Sequence, residues 1–153
     1  MSKLGMVRVV RVREVMTEAV VFLKGSMAVD EAAHILVRHR IHGAPVLGDK
    51  GRILGVVSLS DLLGSGSGGS VAERTTRVVY AVRVDDPAIV AVRLMVAEDV
   101  HRALVVNEDA TIAGIVAPMD ILKALAEGLP VGTPPEGEQL EFFDLRSSEE
   151  EDE

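Results

Sequence analysis

Residues 55–61 read GVVSLSD, an apolar, strand-like run that leads through a hydroxyl and a carboxylate into the start of a helix. The pattern returns 59 residues later as GIVAPMD at residues 114–120, with the glycine, the apolar pair and the aspartate in register. The same offset aligns residues 12–63 with 71–122 without a gap. The chain therefore contains two copies of one supersecondary unit, and we expect the copies to bury their apolar faces against each other.

Each copy follows the order β-α-β-β-α, which indicates the α+β class. The first copy predicts a strand at 20–23, a helix at 27–40, strands at 43–47 and 52–58 around a turn at 49–51, and a helix that begins at Asp61. The second copy predicts a helix at 87–99, strands at 103–106 and 112–116, and a helix at 119–127.

The composition describes a folded domain with an uneven charge distribution. Of the 153 residues, 48% are hydrophobic, which is enough for a core, and the net charge of −8 comes from residues 136–153, where nine acids face one arginine. Aromatic residues are too few for a platform that stacks single-stranded nucleic acid. The absence of cysteine excludes disulfides and thiolate chemistry. No run approaches the ~18 apolar residues of a membrane span, and the start of the chain lacks a signal-peptide core, so we expect a cytoplasmic protein without a membrane partner.

Three segments lie outside the two copies. Residues 1–11 form an N-terminal segment whose arginines alternate with valines as far as Arg13, which predicts a solvated edge strand. Residues 64–70 read GSGSGGS and form a flexible tether. Residues 128–153 form an acidic tail that we expect to be largely disordered. Within it, LEFFDL at 140–145 either docks on the parent core or a dimer mate, or serves as a peptide motif for a partner protein.

The duplicated corner carries residue types that suit a nucleotide. Ser58 places a hydroxyl at the end of the strand, and Asp61 places a carboxylate three residues later at the start of the helix. Free backbone N–H groups at a helix N-terminus favour phosphate, and an aspartate matches the two hydroxyls of a ribose. The same spacing also fits a helix start in which Ser58 or Asp61 only caps backbone amides. Both interpretations stay open at this point.

The duplicated motifs resemble those of a tandem pair of cystathionine-β-synthase (CBS) domains, a Bateman module. In the first copy the resemblance rests on VMT at 15–17, VDEAA at 29–33, HGAPV at 42–46 and GVVSLSDLL at 55–63. In the second copy it rests on Glu73, Thr76, Ala91, His101, Ala103, Val105, Gly114, Ile115, Val116, Asp120, Ile121 and Leu122. The resemblance covers roughly residues 10–126 and implies two repeats packed through their sheets with pseudo-two-fold symmetry.

The resemblance also implies a regulatory sensor that binds an adenine nucleotide (AMP, ADP or ATP), or S-adenosylmethionine, in the cleft between the two repeats. Carried over by position, Asp61 would hold the ribose, and Ser58 and Thr17 would lie near the phosphates. The other first-copy positions, which would flank the adenine or contact a phosphate, are Val20, Val21, His42, Gly43, Ala44 and Pro45.

The second copy departs from this pattern at three positions. The replacements are Ala117 for Ser58, Arg102 for Gly43 and Leu104 for Pro45. Asp120 and Thr76 keep the aspartate and the threonine, and His101 with Arg102 can replace the lost hydroxyl with positive charge. We therefore expect one competent site, at Asp61, and doubtful occupancy at Asp120.

The sequence gives no support for a metal site or for catalysis. His34, His39 and His42 have no carboxylate that completes a ligand set, so we expect no metal. The chain has no GxSxG elbow, no HExxH motif and no Walker loop, so we do not expect an enzyme.

Two further interpretations concern partners. Ile121, Leu122 and Leu125 are apolar residues that the last predicted helix would expose, which predicts a homodimer. The rival to nucleotide sensing is an assembly protein with vestigial nucleotide sites that acts through its acidic tail.

Overall fold

The computed structural model describes residues 8–19, 21–64, 68–77 and 80–134, together with the backbone of residues 143–144. The chain forms two compact units. The central unit comprises Ala19–Val78, and the terminal unit comprises Met1–Glu18 together with Val79–Glu153. The α+β class is confirmed, because each unit contains a small sheet and helices.

The central unit has a three-stranded sheet with the order β2-β3-β4. Its elements are β2 (Leu23–Lys24), α2 (Val29–His39), β3 (Gly43–Leu47), β4 (Ile53–Ser58), α3 (Leu59–Leu63) and α4 (Val71–Arg74). Strand β2 runs parallel to β3, and β3 runs antiparallel to β4 across a 3₁₀ turn at Asp49–Gly51. Helix α2 buries Val29, Ala32 and Leu36, whose spacing of three and four residues places them on one helical face.

The terminal unit has a five-stranded sheet with the order β1-β7-β6-β5-β8. Its elements are α1 (Val12–Val15), β1 (Thr17–Glu18), β5 (Tyr80–Arg83), α5 (Ala88–Ala97), β6 (Ala103–Val106), β7 (Ile112–Val116), α6 (Pro118–Ala126) and β8 (Phe143–Asp144). Strand β5 is parallel to β6, and the other pairs are antiparallel. Val82, Leu94 and Val105 are fully buried between this sheet and its helices.

The start of each sequence copy lies in the unit that is formed mainly by the other copy. Helix α1 and strand β1 open the first copy but lie in the terminal unit, where Thr17 pairs with Ile115 of β7. Helix α4 and Thr76 open the second copy but lie in the central unit, where Thr76 and Val56 exchange two backbone hydrogen bonds of 2.9 Å. Each unit is therefore built from residues of both copies.

The repeated glycine makes room for the exchanged segments. A Cβ atom on Gly55 would lie 2.1 Å from the carbonyl oxygen of Thr76, and a Cβ atom on Gly114 would lie 2.3 Å from that of Thr17. Gly55 also has a φ of +151°, a backbone conformation that other residues rarely adopt. The glycine in each corner is thus needed because another backbone crosses the strand there.

The predicted N-terminal edge strand is wrong at its C-terminal part, which forms α1. The Glu14 carboxylate accepts a hydrogen bond of 2.7 Å from the Arg11 backbone N–H and so closes the start of a helical turn. Val12 and Val15 are buried, whereas Arg13 is exposed and forms an ion pair with Asp85. Val12 and Val15 therefore form the buried side of a short helix.

Other boundaries shift by a few residues. The strand predicted at 20–23 is β2, which begins at Leu23, and Val20 lies outside the described residues. Ile121 is buried, with 9% of its surface exposed, so it does not belong to the exposed apolar set predicted for the last helix. Val131 is 2% exposed, so the start of the predicted disordered tail packs on the folded unit. Strand β8 pairs with β5, as expected for a tail segment that docks on the parent core.

Candidate functional site

The central corner is a complete helix cap. The Ser58 backbone N–H donates to Asp61 Oδ2 at 2.9 Å, and the Asp61 backbone N–H donates to Ser58 Oγ at 3.1 Å. Ser58 Oγ also lies 2.9 Å from Ser60 Oγ, and Ser58 is 6% exposed. Ser58 and Asp61 therefore cap the start of α3. The hydroxyl predicted to lie near phosphate is buried and held by two neighbours.

The loop that precedes β3 forms one side of the central corner. Gly43 lies opposite Ser58 in the antiparallel register, and the Leu59 backbone N–H donates to the His42 carbonyl at 2.7 Å. The His42 side chain is exposed. Ala44 and Pro45 are buried within the strand, and Val21 is half-buried. The structure thus brings the His42 backbone, Gly43 and Ser58 close together.

The aspartate of the terminal corner, Asp120, has different hydrogen-bond partners. Asp120 Oδ2 accepts a hydrogen bond of 2.8 Å from the Ala117 backbone N–H, which is the same half of the cap that Asp61 makes. Ala117 has no hydroxyl to complete the box. Asp120 Oδ1 instead accepts a hydrogen bond of 3.0 Å from Thr17 Oγ1. The second carboxylate oxygen is therefore joined to a side chain from the opposite end of the sequence.

This pairing corrects the predicted grouping of Thr17 with Ser58 and Asp61. Thr17 lies in the terminal unit on Asp120, and Thr76 lies in the central unit beside Val56. The sequence contains both threonines at equivalent positions but no local signal for the exchange. The crossing backbone explains the two corner glycines, and those glycines were the available sign that a second segment lies there.

A cavity of about 240 Å³ opens beside the Thr17–Asp120 pair in the terminal unit. Its walls are formed by Glu14, Val15, Met16, Thr17, Asp120, Lys123, Ala124, Glu127 and Leu129. Lys123 supplies a positive charge, and Glu14 and Glu127 supply negative charges. Ligand pockets typically measure roughly 300–1,000 Å³. The cavity is therefore large enough for part of a nucleotide, such as its sugar or a phosphate.

Several cavity residues were absent from the sequence prediction. Lys123 follows Asp120 by one turn on α6, and Glu127 comes directly after that helix. Glu14 belongs to α1. Helical spacing from Asp120 was the available signal for Lys123. His101 lies exposed and Arg102 half-buried before β6, and neither residue lines this cavity. The charged residues that line this cavity therefore come from α1, from α6 and from Glu127 directly after it.

No group of three or more His, Cys, Asp or Glu side chains among the described residues is arranged to hold a metal ion. None of the helices that the structure describes has the length and apolar content of a membrane crossing.

Comparison with known families identifies both copies. The model of the CBS domain matches residues 12–68 and again residues 71–127. Magnesium transporter MgtE of Thermus thermophilus is 34% identical over 115 residues, which are 72% of this chain and 26% of the transporter. Homoserine O-acetyltransferase of Methanohalobium evestigatum is 25% identical over 118 residues, which are 76% of this chain and 24% of the enzyme. This chain spans about a quarter to a third of the length of the curated relatives it matches.

Solved structures with similar folds are CBS domains. CBSX2 in complex with AMP is 27% identical with a TM-score of 0.59, and the match covers 76% of this chain and 96% of that one. The CBS domain of a bacterial CNNM/CorC family Mg²⁺ transporter in complex with ATP is 26% identical with a TM-score of 0.63, and covers 76% and 87%. The CBS domain pair of protein MJ0100 shares the fold at 22% identity, with a TM-score of 0.65 and coverage of 79% and 99%.

Proposed function

This chain belongs to the CBS domain family as a tandem pair, and we propose that it is a regulatory module that binds an adenine nucleotide. Similarity above 25% identity to a CBS protein solved with AMP and to one solved with ATP supports the ligand class. The Thr17–Asp120 pair on the wall of a cavity is the observation that carries the proposal. Its carboxylate suits ribose hydroxyls, and Lys123 suits a phosphate.

We place the ligand at the terminal corner in preference to the central one. The sequence favoured Asp61 because Ser58 supplies a hydroxyl that Ala117 lacks. In the folded protein Ser58 is 6% exposed and its hydroxyl caps α3, so it adds little to a phosphate site. The terminal corner instead has Thr17 on its aspartate and a basic residue beside its cavity. We therefore propose the reverse of the order that the sequence predicted for the two corners.

Calorimetric titration with AMP, ADP, ATP and S-adenosylmethionine tests the proposal. Asp120→Asn removes the charge but keeps oxygen and nitrogen atoms for the helix cap, and Asp61→Asn is the matched control at the equivalent position. We expect about a tenfold or greater loss of affinity from Asp120→Asn and a smaller loss from Asp61→Asn. Silence for all four ligands would contradict the proposal. A larger loss of affinity from Asp61→Asn than from Asp120→Asn would instead place the ligand at Asp61.

We propose further that the chain itself is not a catalyst. Similar segments occupy 26% of a magnesium transporter and 24% of an acetyltransferase, two proteins whose names describe unrelated activities. A segment that accompanies such different proteins fits a regulatory role better than a shared reaction. We therefore expect the nucleotide to be chemically unchanged after the titration. Chromatography of the mixture checks this.

A homodimer is part of the same proposal. Helix α6 exposes Met119, Leu122 and Leu125 at 58%, 55% and 53%, and their spacing of three residues places them along one side of the helix. Such an apolar side favours a second copy as its cover. Sedimentation of the wild type and of Leu122→Glu tests this interpretation. A wild type that sediments as a monomer would contradict it.

A further inference from the structure

The outer sheet edges of the two units are equivalent in sequence but not in structure. The offset of 59 residues relates Val21 to Tyr80, Phe22 to Ala81, and Lys24 to Arg83. In the terminal unit this edge belongs to β5, and in the central unit it belongs to the short strand β2 and the residues just before it. The two edges therefore began as copies of one surface.

The edge of β5 is covered by a strand from the acidic tail. Strand β8 runs antiparallel to β5, with Asp144 opposite Tyr80 and Phe143 opposite Ala81. Tyr80 is 9% exposed and Ala81 is 0% exposed. The sequence around the pairing residues is LEFFDL, which combines apolar residues with two acids. The tail thus adds one strand to the sheet.

The equivalent edge in the central unit lacks such a strand among the described residues. The sheet order β2-β3-β4 places β2 at the rim, and no described strand pairs with its outer side. Phe22 is 44% exposed, although its equivalent Ala81 is fully buried. The Lys24 carbonyl accepts a hydrogen bond of 3.0 Å from the Met27 backbone N–H. The other N–H and C=O groups of an open edge can template another strand. Phe22 adds an exposed apolar surface at the same place.

We propose that this edge is a docking site for an extended segment of a partner protein with the acidic, aromatic character of LEFFDL. Each chain has one such segment in its sequence, and residues 143–144 of that segment pair with β5. The partner would bind by strand addition, in which backbone hydrogen bonds provide affinity and side chains provide specificity. The proposal does not depend on nucleotide binding.

The charge at the edge supports an acidic partner. Lys24 and Arg83 occupy the same position in the two copies, so both edges carry a base there. We apply the register of β8 on β5 to the central edge. The partner residue equivalent to Phe143 then lies opposite Phe22. Continued by two positions, the same register places an acid equivalent to Glu141 opposite Lys24. Opposite charges on facing strands stabilise such a pair.

A labelled peptide tests the proposal with the full chain. We would titrate fluorescein-labelled QLEFFDLRS, the sequence of residues 139–147, and follow its anisotropy in nucleotide-free buffer. Saturable binding is expected, with a loss of about fivefold or more for Phe22→Ser and about threefold for Lys24→Glu. Val37→Ser is the matched control, because Val37 is 61% exposed on α2 of the same unit. It should bind the peptide as the wild type does.

Three results would overturn the proposal. The first is the absence of saturable binding. The second is binding that Phe22→Ser and Lys24→Glu leave unchanged, because the peptide would then be replacing β8 on β5. The third is a wild-type dimer that Phe22→Ser dissociates in sedimentation, because a second copy would then cover the edge. Circular dichroism melting of Phe22→Ser checks its fold, and Lys24→Glu keeps the test valid if that fold is lost.

Discussion

The central and terminal corners contain the same glycine and aspartate but use the aspartate differently. In the central corner Ser58 and Asp61 cap each other's backbone. In the terminal corner Asp120 caps the Ala117 backbone with one oxygen and binds Thr17 with the other. A hydroxyl near an aspartate can therefore belong to a helix cap. A corner that lacks this hydroxyl can obtain one from a distant segment.

The largest expected effect comes from filling the space of a corner glycine. In Gly55→Ala the new Cβ would meet the Thr76 carbonyl at 2.1 Å, at a φ of +151°. Overpacking and the unfavourable φ together should lower the free energy of unfolding by about 3 kcal/mol. Urea unfolding measures the change. Gly51→Ala, at φ +75° with nothing within 4 Å, is the control and should cost about 1 kcal/mol. Equal losses would show that the crossing backbone is not the cause.

The next prediction separates the two threonines. Thr17→Val removes the hydroxyl that donates to Asp120, so the carboxylate loses a hydrogen bond that would orient it toward the ribose of the proposed ligand. Nucleotide affinity should fall about tenfold, equal to about 1.4 kcal/mol. Thr76→Val is the equivalent change in the central unit and should alter affinity less. Calorimetry compares both variants, and a larger effect from Thr76→Val would move the site to the central corner.

A smaller effect follows from exchanging the caps. Ser58→Ala removes the hydroxyl that accepts from the Asp61 N–H and should lower the free energy of unfolding by about 1 kcal/mol. Ala117→Ser offers the terminal corner the same hydroxyl and should raise it by about 0.5 kcal/mol. Denaturant titration measures both changes. A large loss of nucleotide affinity in Ser58→Ala would show that the hydroxyl also serves the ligand.

The smallest effect concerns charge at the cavity. Lys123→Gln removes the base that lines it, and affinity for ATP should fall about threefold in low salt because an exposed charge acts weakly. The loss should shrink as salt screens the interaction. The matched control is Lys50→Gln on the turn of the central unit. A loss that does not depend on salt would point to packing instead of charge.

Local patterns predicted much of the fold. The helix predicted at 27–40 is Val29–His39, and the strand predicted at 43–47 is Gly43–Leu47, because apolar periodicity, glycine and turn residues act over short distances. The alternation of arginine and valine near the N-terminus led to the prediction of a strand, which is wrong at α1. A side-chain cap by Glu14 and burial of two valines favour a helical turn there over a strand.

The candidate site was predicted in its residue types but not in its grouping. Asp61, Asp120, Thr17 and Thr76 were named from their positions in the repeat, and their roles as ligand contacts stay predictions. Lys123 was missed because it lies outside the motif, one turn beyond Asp120 on α6. The capping role of Ser58 was left open because a cap and a phosphate contact share one spacing.

The sequence by itself determined the duplication, the order of elements, the membership of the CBS domain family and the position of each corner, since these depend on local composition and spacing. Only the tertiary structure decided that Thr17 binds Asp120, across 103 residues of chain, and that the acidic tail pairs with β5. Contacts of this kind are selected by backbone packing and strand pairing among distant segments. No local pattern specifies which of two equivalent partners a segment will join.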